Sequence, residues 1–198
     1  MPKTPNDRWD AVKLSRGYIS SYVPFTAVDG EGLRSALYVS GCLFACEGCF
    51  NKSTWSFRNG FQYTQELEDR IIRDLSNPAI QGMTFLGGEP FLNTPTLIKL
   101  AKRIRFELPS KDIWAWSGYT FEQIVDGSPD KKELLALVDV LIDGPFVEEL
   151  KLTSTRSFLG SSNQRIVDVK ESLHEGAVKL HLSGAHEVNR NSMISGRS

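Results

Sequence analysis

Four short apolar runs in this chain are each followed at once by residues that bear chemistry. Ala36-Leu-Tyr-Val-Ser40 leads into Cys42, Cys46 and Cys49, and Gly82-Met-Thr-Phe-Leu86 leads into Gly87-Gly-Glu-Pro90. Ile113-Trp-Ala-Trp116 leads into Ser117-Gly-Tyr119, and Val138-Asp-Val-Leu-Ile142 into Asp143-Gly-Pro145. Between the runs lie stripes at helical spacing: Leu67, Ile71, Ile72 and Leu75, then Leu97, Ile98, Leu100, Ala101, Ile104 and Leu108. Thr94 before Pro95 reads as an N-cap, and Asp130 with Glu133 as a capping box. Alternating strands and helices predict an α/β fold with a parallel sheet. A further strand is expected at Arg165 to Val169, a weaker one at Lys179 to Leu182, and an edge strand or hairpin over Tyr18 to Val28. Parallel α/β folds bind ligands beyond the carboxyl ends of their strands, so the four loops should converge on one pocket.

The three cysteines are the only ones in the chain and follow a C-x3-C-x2-C spacing. Thiolates that close in sequence can share a metal centre, and thiolate suits both zinc and iron–sulfur clusters. A closed zinc site needs a fourth ligand, which only His174, His181 or His186 could supply, all far downstream. Three ligands on a four-iron cube leave one iron open for a substrate. Inert buried thiols are the third reading. A disulfide would leave one thiol over, and the N-terminus carries no export signal. No stretch is long and apolar enough to span a membrane, so a reducing cytoplasm is expected. A net charge of −1 gives no support to a nucleic-acid or membrane surface. The length of 198 residues suits one domain.

The other loops read less sharply. Gly87 and Gly88 would let backbone approach a ligand, or merely shape a turn. Glu89 could accept from an α-amino group, and Ser117 could present a hydroxyl or cap a helix. Asp143 could fix a polar group or start a turn. Phe50 could stack on a flat base or belong to the core.

Cys-x3-Cys-x2-Cys after one strand and Gly-Gly-Glu after the next resemble the radical S-adenosylmethionine superfamily. Cys-Glu-Gly-Cys-Phe-Asn-Lys-Ser-Thr-Trp55, Trp-Ala-Trp-Ser-Gly-Tyr119, Asp-Val-Leu-Ile-Asp-Gly-Pro-Phe146 and Gly-Ser-Ser-Asn-Gln-Arg-Ile166 narrow the resemblance to the anaerobic ribonucleoside-triphosphate reductase activating proteins. The resemblance implies an incomplete parallel (β/α) barrel, open at one side, over residues 17–182. Residues 1–16 would be a loose extension, and 183–198 a polar, disordered tail. It implies a [4Fe–4S] cluster on Cys42, Cys46 and Cys49, its open iron chelating S-adenosylmethionine. Cleavage would give a 5′-deoxyadenosyl radical that takes hydrogen from a glycine of the partner reductase's large subunit. Gly48, Cys49 and Phe50 would flank the adenosyl part, and Gly87, Gly88 and Glu89 the methionine part. Ser117 and Asp143 would supply the remaining polar contacts. A flavodoxin or ferredoxin would donate the electron. Many relatives carry histidine or another polar residue where this chain has Leu43-Phe44-Ala45. The alternatives are an activator of pyruvate formate-lyase, a radical enzyme for a small molecule, and a zinc-stabilised binding module.

Overall fold

The computed structural model describes residues 1–6, 8–153 and 158–182, so the expected disordered tail and His186 lie outside the described residues. Eight strands form one sheet: β1 (Tyr18–Thr26), β2 (Arg34–Val39), β3 (Phe61–Gln62), β4 (Gly82–Gly87), β5 (Asp112–Trp116), β6 (Val140–Asp143), β7 (Arg165–Asp168) and β8 (Lys179–Leu180). Six helices accompany them: α1 (Ala11–Leu14), α2 (Gln65–Leu75), α3 (Thr94–Glu107), α4 (Phe121–Val125), α5 (Pro129–Ala136) and α6 (Val169–Glu175). The strand order is β3-β1-β2-β4-β5-β6-β7-β8. Strands β2, β4, β5 and β6 run parallel, as the alternating pattern requires. The flanking pairs are antiparallel, and among the described residues the sheet does not close.

The expected fifth and sixth strands are present, but each pairs antiparallel with its neighbour. Parallel pairing needs a crossover of a dozen or more residues, usually helical. Between β6 and β7 the described residues hold only a 3-10 turn at Glu148–Leu150, so the chain returns antiparallel. Helix starts also differ from expectation. Thr64 caps α2 by accepting from Leu67 N, but Asn93 precedes α3 at the cap position. Ser128, not Asp130, precedes α5, because Pro129 takes the first helical position its fixed φ favours. Asp130 instead accepts the hydroxyl of Thr94 and ties α5 to α3. A capping box does occur one helix earlier, where Thr120 and Gln123 close reciprocally on α4.

Side chains alternate across the sheet with period two. Leu37, Val39, Met83, Phe85, Ile113, Ala115, Leu141 and Val167 face the main core, with Leu97, Leu100, Ile104, Ile124 and Leu134 of the helices. The opposite face carries Trp114, Val140, Ile142 and Ile166, with Trp116 and Phe158 beside them. Its end near the strand N-termini is filled. There Arg34, fully buried, donates to Thr84 Oγ1 (2.9 Å), the Met83 carbonyl (3.0 Å) and the Glu31 carbonyl (3.1 Å), pairs with Asp112, and lies over the Trp114 ring. The other end opens among the loops.

Candidate functional site

The cysteine loop leaves β2 and is held from both sides. Gly41 N donates to Thr54 O (2.7 Å) and Cys42 N to Trp55 O (3.2 Å). Ala45, with φ 51°, is the only non-glycine among the described residues in the left-handed region, a strain of about 1–2 kcal/mol beside Cys46. Phe44 turns back into the core, 2 % exposed, and meets the Trp9 and Tyr119 rings edge-on at 4.9 and 5.1 Å. Cys46 is buried, while Cys42 and Cys49 are half-buried.

The Gly-Gly-Glu loop leaves β4 directly alongside. Gly88 N donates to Val39 O and Glu89 N to Gly41 O, both at 2.8 Å. A Cβ on Gly88 would stand 2.6 Å from the Gly41 carbonyl oxygen, so this glycine lets two loops touch backbone to backbone. A Cβ on Gly118, after β5, would stand 2.6 Å from the Phe44 ring. Glu89 ties its own loop to the loop after β5 through its side chain. Its Oε1 accepts from Phe91 N (2.9 Å) and Ser117 Oγ (2.8 Å), and its Oε2 accepts from Gly118 N (2.8 Å). Burial pushes this carboxyl up to about 7, against the pull of those donors.

These loops enclose a cleft of about 610 Å³. The structure brings Cys42, Cys46, Cys49, Phe50, Gly87, Gly88, Glu89 and Ser117 together on its walls. Gly48 and Asp143 are not on that wall. Gly48 has φ +70°, and a Cβ there would run into the Glu148 carboxylate. Asp143 is buried, accepts from Phe121 N (2.8 Å) and pairs with Arg165, which also reaches Glu122. Its neighbours Gly144 and Phe146 reach the cleft instead. Sequence reasoning missed Asp29, and it assigns Trp116 to packing; both also line the cleft. Asp29 Oδ2 accepts from Thr26 Oγ1 (2.9 Å) and the Tyr38 hydroxyl (3.1 Å); its only sequence signal is an Asp-Gly pair before a strand. It also missed Phe44 as the anchor of the cysteine loop, although an aromatic between two ligands was visible. The Gly-Ser-Ser-Asn-Gln-Arg block clamps the Asp-Gly-Pro loop. Gln164 donates to Gly144 O (2.9 Å) and Asn163 to Pro145 O (2.8 Å).

Burial pushes the Cys42 thiol up to about 12, with the Glu89 carboxylate adding to the shift, and raises Cys46 as well. Backbone N–H groups oppose this, Phe44 at Cys42 and Phe146 at Cys46. Metal loading must therefore displace protons. Among the described residues no three His, Cys, Asp or Glu side chains are grouped to hold a single ion. His174 is exposed on α6, and His181 packs edge-on against Trp114, outside the cleft wall. Neither can complete a closed zinc site with the cysteines in this arrangement. Three thiols on one loop, with no histidine on the cleft wall among the described residues, suit a cluster whose ligands reach separate metal atoms.

Comparison with known proteins agrees. A profile of the "4Fe-4S single cluster domain" family matches residues 28–167. The anaerobic ribonucleoside-triphosphate reductase-activating protein of Vibrio cholerae is 42 % identical over 149 residues, covering 73 % of this chain and 94 % of that protein. The protein of that name in Escherichia coli K12 is 44 % identical over 147 residues, covering 72 % and 93 %. Its counterpart in Enterobacteria phage T4 is 41 % identical over 145 residues, covering 72 % and 88 %. The chain belongs to the family of anaerobic ribonucleoside-triphosphate reductase-activating proteins and carries their 4Fe-4S single cluster domain.

Proposed function

We propose that the chain is an activating enzyme that cleaves S-adenosylmethionine reductively at a [4Fe–4S] cluster and leaves a glycyl radical on an anaerobic ribonucleoside-triphosphate reductase. The observation that carries this reading is the convergence of three thiols and the Gly-Gly-Glu loop on one cleft at the carboxyl edge of the parallel strands. Cys42, Cys46 and Cys49 would hold the cluster, which when bound supplies one electron to the sulfonium and so produces the carbon radical that abstracts hydrogen.

The chain's own residues bind and orient. Gly87 and Gly88 offer a wall without side chains, and Glu89 Oε2, with one donor already on it, keeps a lone pair for the ligand's α-amino group. Ser117 is held by Glu89, so its position is fixed with the same tie. Phe50, 82 % exposed beside Cys49, offers a ring face for the adenine, with Lys151 Nζ 5.3 Å from its centroid. Asp143 acts through position, holding the Gly144 turn by way of Arg165, and Gly48 seats the loop against Glu148. We read the unclosed sheet as an incomplete barrel whose open side admits a glycine-bearing loop of the reductase. A flavodoxin or ferredoxin in the cytoplasm would supply electrons. No described helix is long and apolar enough to cross a membrane.

The test is anaerobic reconstitution with iron and sulfide, reduction, addition of S-adenosylmethionine, and assay of 5′-deoxyadenosine beside the spin resonance spectrum. The reading expects a cluster signal that changes with the cofactor and 5′-deoxyadenosine in stoichiometric yield. A protein that binds zinc, takes no cluster and cleaves nothing would overturn it.

A further inference from the structure

The segment before β1 reaches three of the site's loops from behind. Lys3 N donates to Phe44 O at 2.7 Å, a backbone bond into the middle of the cysteine loop. Trp9, 7 % exposed, packs edge-on against Phe44 at 4.9 Å and against Tyr119 at 6.1 Å. Lys131 Nζ donates to the Trp9 carbonyl (3.0 Å), fixing Trp9 to α5. Helix α1 packs on α3 and on the Pro90–Leu92 turn. Ser15 Oγ donates to Asn93 Oδ1 (3.2 Å), and Asn93 in turn donates to the Glu89 carbonyl (3.0 Å). Lys3, Trp9, α1 and Ser15 all precede the stretch that the 4Fe-4S profile matches.

We infer that this amino-terminal segment is a brace that sets the position of the cysteine loop, with Trp9 as a positioning residue acting through Phe44 on Cys42 and Cys46. Phe44 is two residues from each of those thiols, and its ring is the loop's one deep anchor. Remove Trp9, and one wall of that anchor's pocket goes. The strained backbone at Ala45 is then free to relax, and Cys46, 8 % exposed with the brace in place, opens to solvent. The brace deepens the proposed function, because a cluster held by a shifted loop would change its environment.

Two readouts separate the brace from that function. In cluster-free, reduced protein, maleimide alkylation of Cys46 followed by peptide mass spectrometry should be about tenfold or more faster in Trp9→Ala than in the parent chain. Trp9→Phe should restore slow alkylation. Lys3→Pro removes the N–H donor together with an exposed side chain, in a stretch already holding Pro2 and Pro5, and should accelerate alkylation without unfolding the core. In reconstituted protein, Trp9→Ala should broaden the reduced-cluster spin resonance signal and speed bleaching in air. Unchanged alkylation in Lys3→Pro, and in a folded Trp9→Ala by circular dichroism, would overturn the brace. If the parent chain takes up no cluster, the proposed function fails, while the alkylation rates still decide the brace.

Discussion

Glu89 is where a single side chain ties the Gly-Gly-Glu loop to the loop after β5, and its chemistry shows how residue identity acts here. A carboxylate can accept at both oxygens, and this one serves three donors. Glu89→Gln keeps the shape but has one acceptor oxygen, so at least one buried N–H or O–H faces an NH2 group. That substitution should cost about 1–3 kcal/mol in chemical denaturation, along with weakened binding of S-adenosylmethionine. A variant as stable as the parent would show that the tie is not structural. Cys46→Ser should lose bound iron after reconstitution and keep the parent's circular dichroism spectrum, since Cys46 is a proposed ligand and serine has nearly its shape. The cysteines were legible because metal spacing is a local pattern. Asp143 was legible as a residue after a strand, but its partner Arg165 lies 22 residues on, and no local rule announces such a pair.

At the scale of elements, loops packed backbone to backbone leave no slack. Gly88→Ala places a methyl 2.6 Å from the Gly41 carbonyl oxygen, and neither group is a flexible chain end. The cysteine loop must shift, so the variant should bind less iron per chain and melt at a lower temperature than Gly88 protein. Equal iron content would mean the two loops move together. The glycine pair was legible in sequence as permissive backbone. What it permits, contact between two loops of the same chain, requires knowing that β2 and β4 are neighbours. The parallel strands were readable from apolar runs and intervening helical stripes, whereas the direction of β7 was not. A four-residue strand reads the same both ways, and its connection decides.

The molecule as a whole is fastened at its carboxyl half by Arg165, which joins β7 to Asp143 on β6 and Glu122 on α4. Hydrogen bonds from Arg165 hold the Glu122 carboxyl down to about 2, against its ordinary 4.5. A depressed folded value means this stabilisation is complete above the ordinary value and fades as pH falls from about 4.5 toward 2. Arg165→Gln should therefore flatten the loss of stability between those pH values. At neutral pH it should cost about 3–5 kcal/mol, because Asp143 is left buried without its ion-pair partner. Denaturant titrations at several pH values check both outcomes; parallel curves for parent and variant would remove the pair from the fold's acid response. The filled end of the face opposite the main core has a different bearing, on the order of events. Arg34 and its partners stop that end, which leaves the loop end of the cleft to be shared by cofactor and partner in the proposed function. A partner's peptide seated there would act as a stopper. In the proposed function the small ligand would then enter first and its fragments leave last, and the pace of repeated turnover would be set by how quickly the partner withdraws.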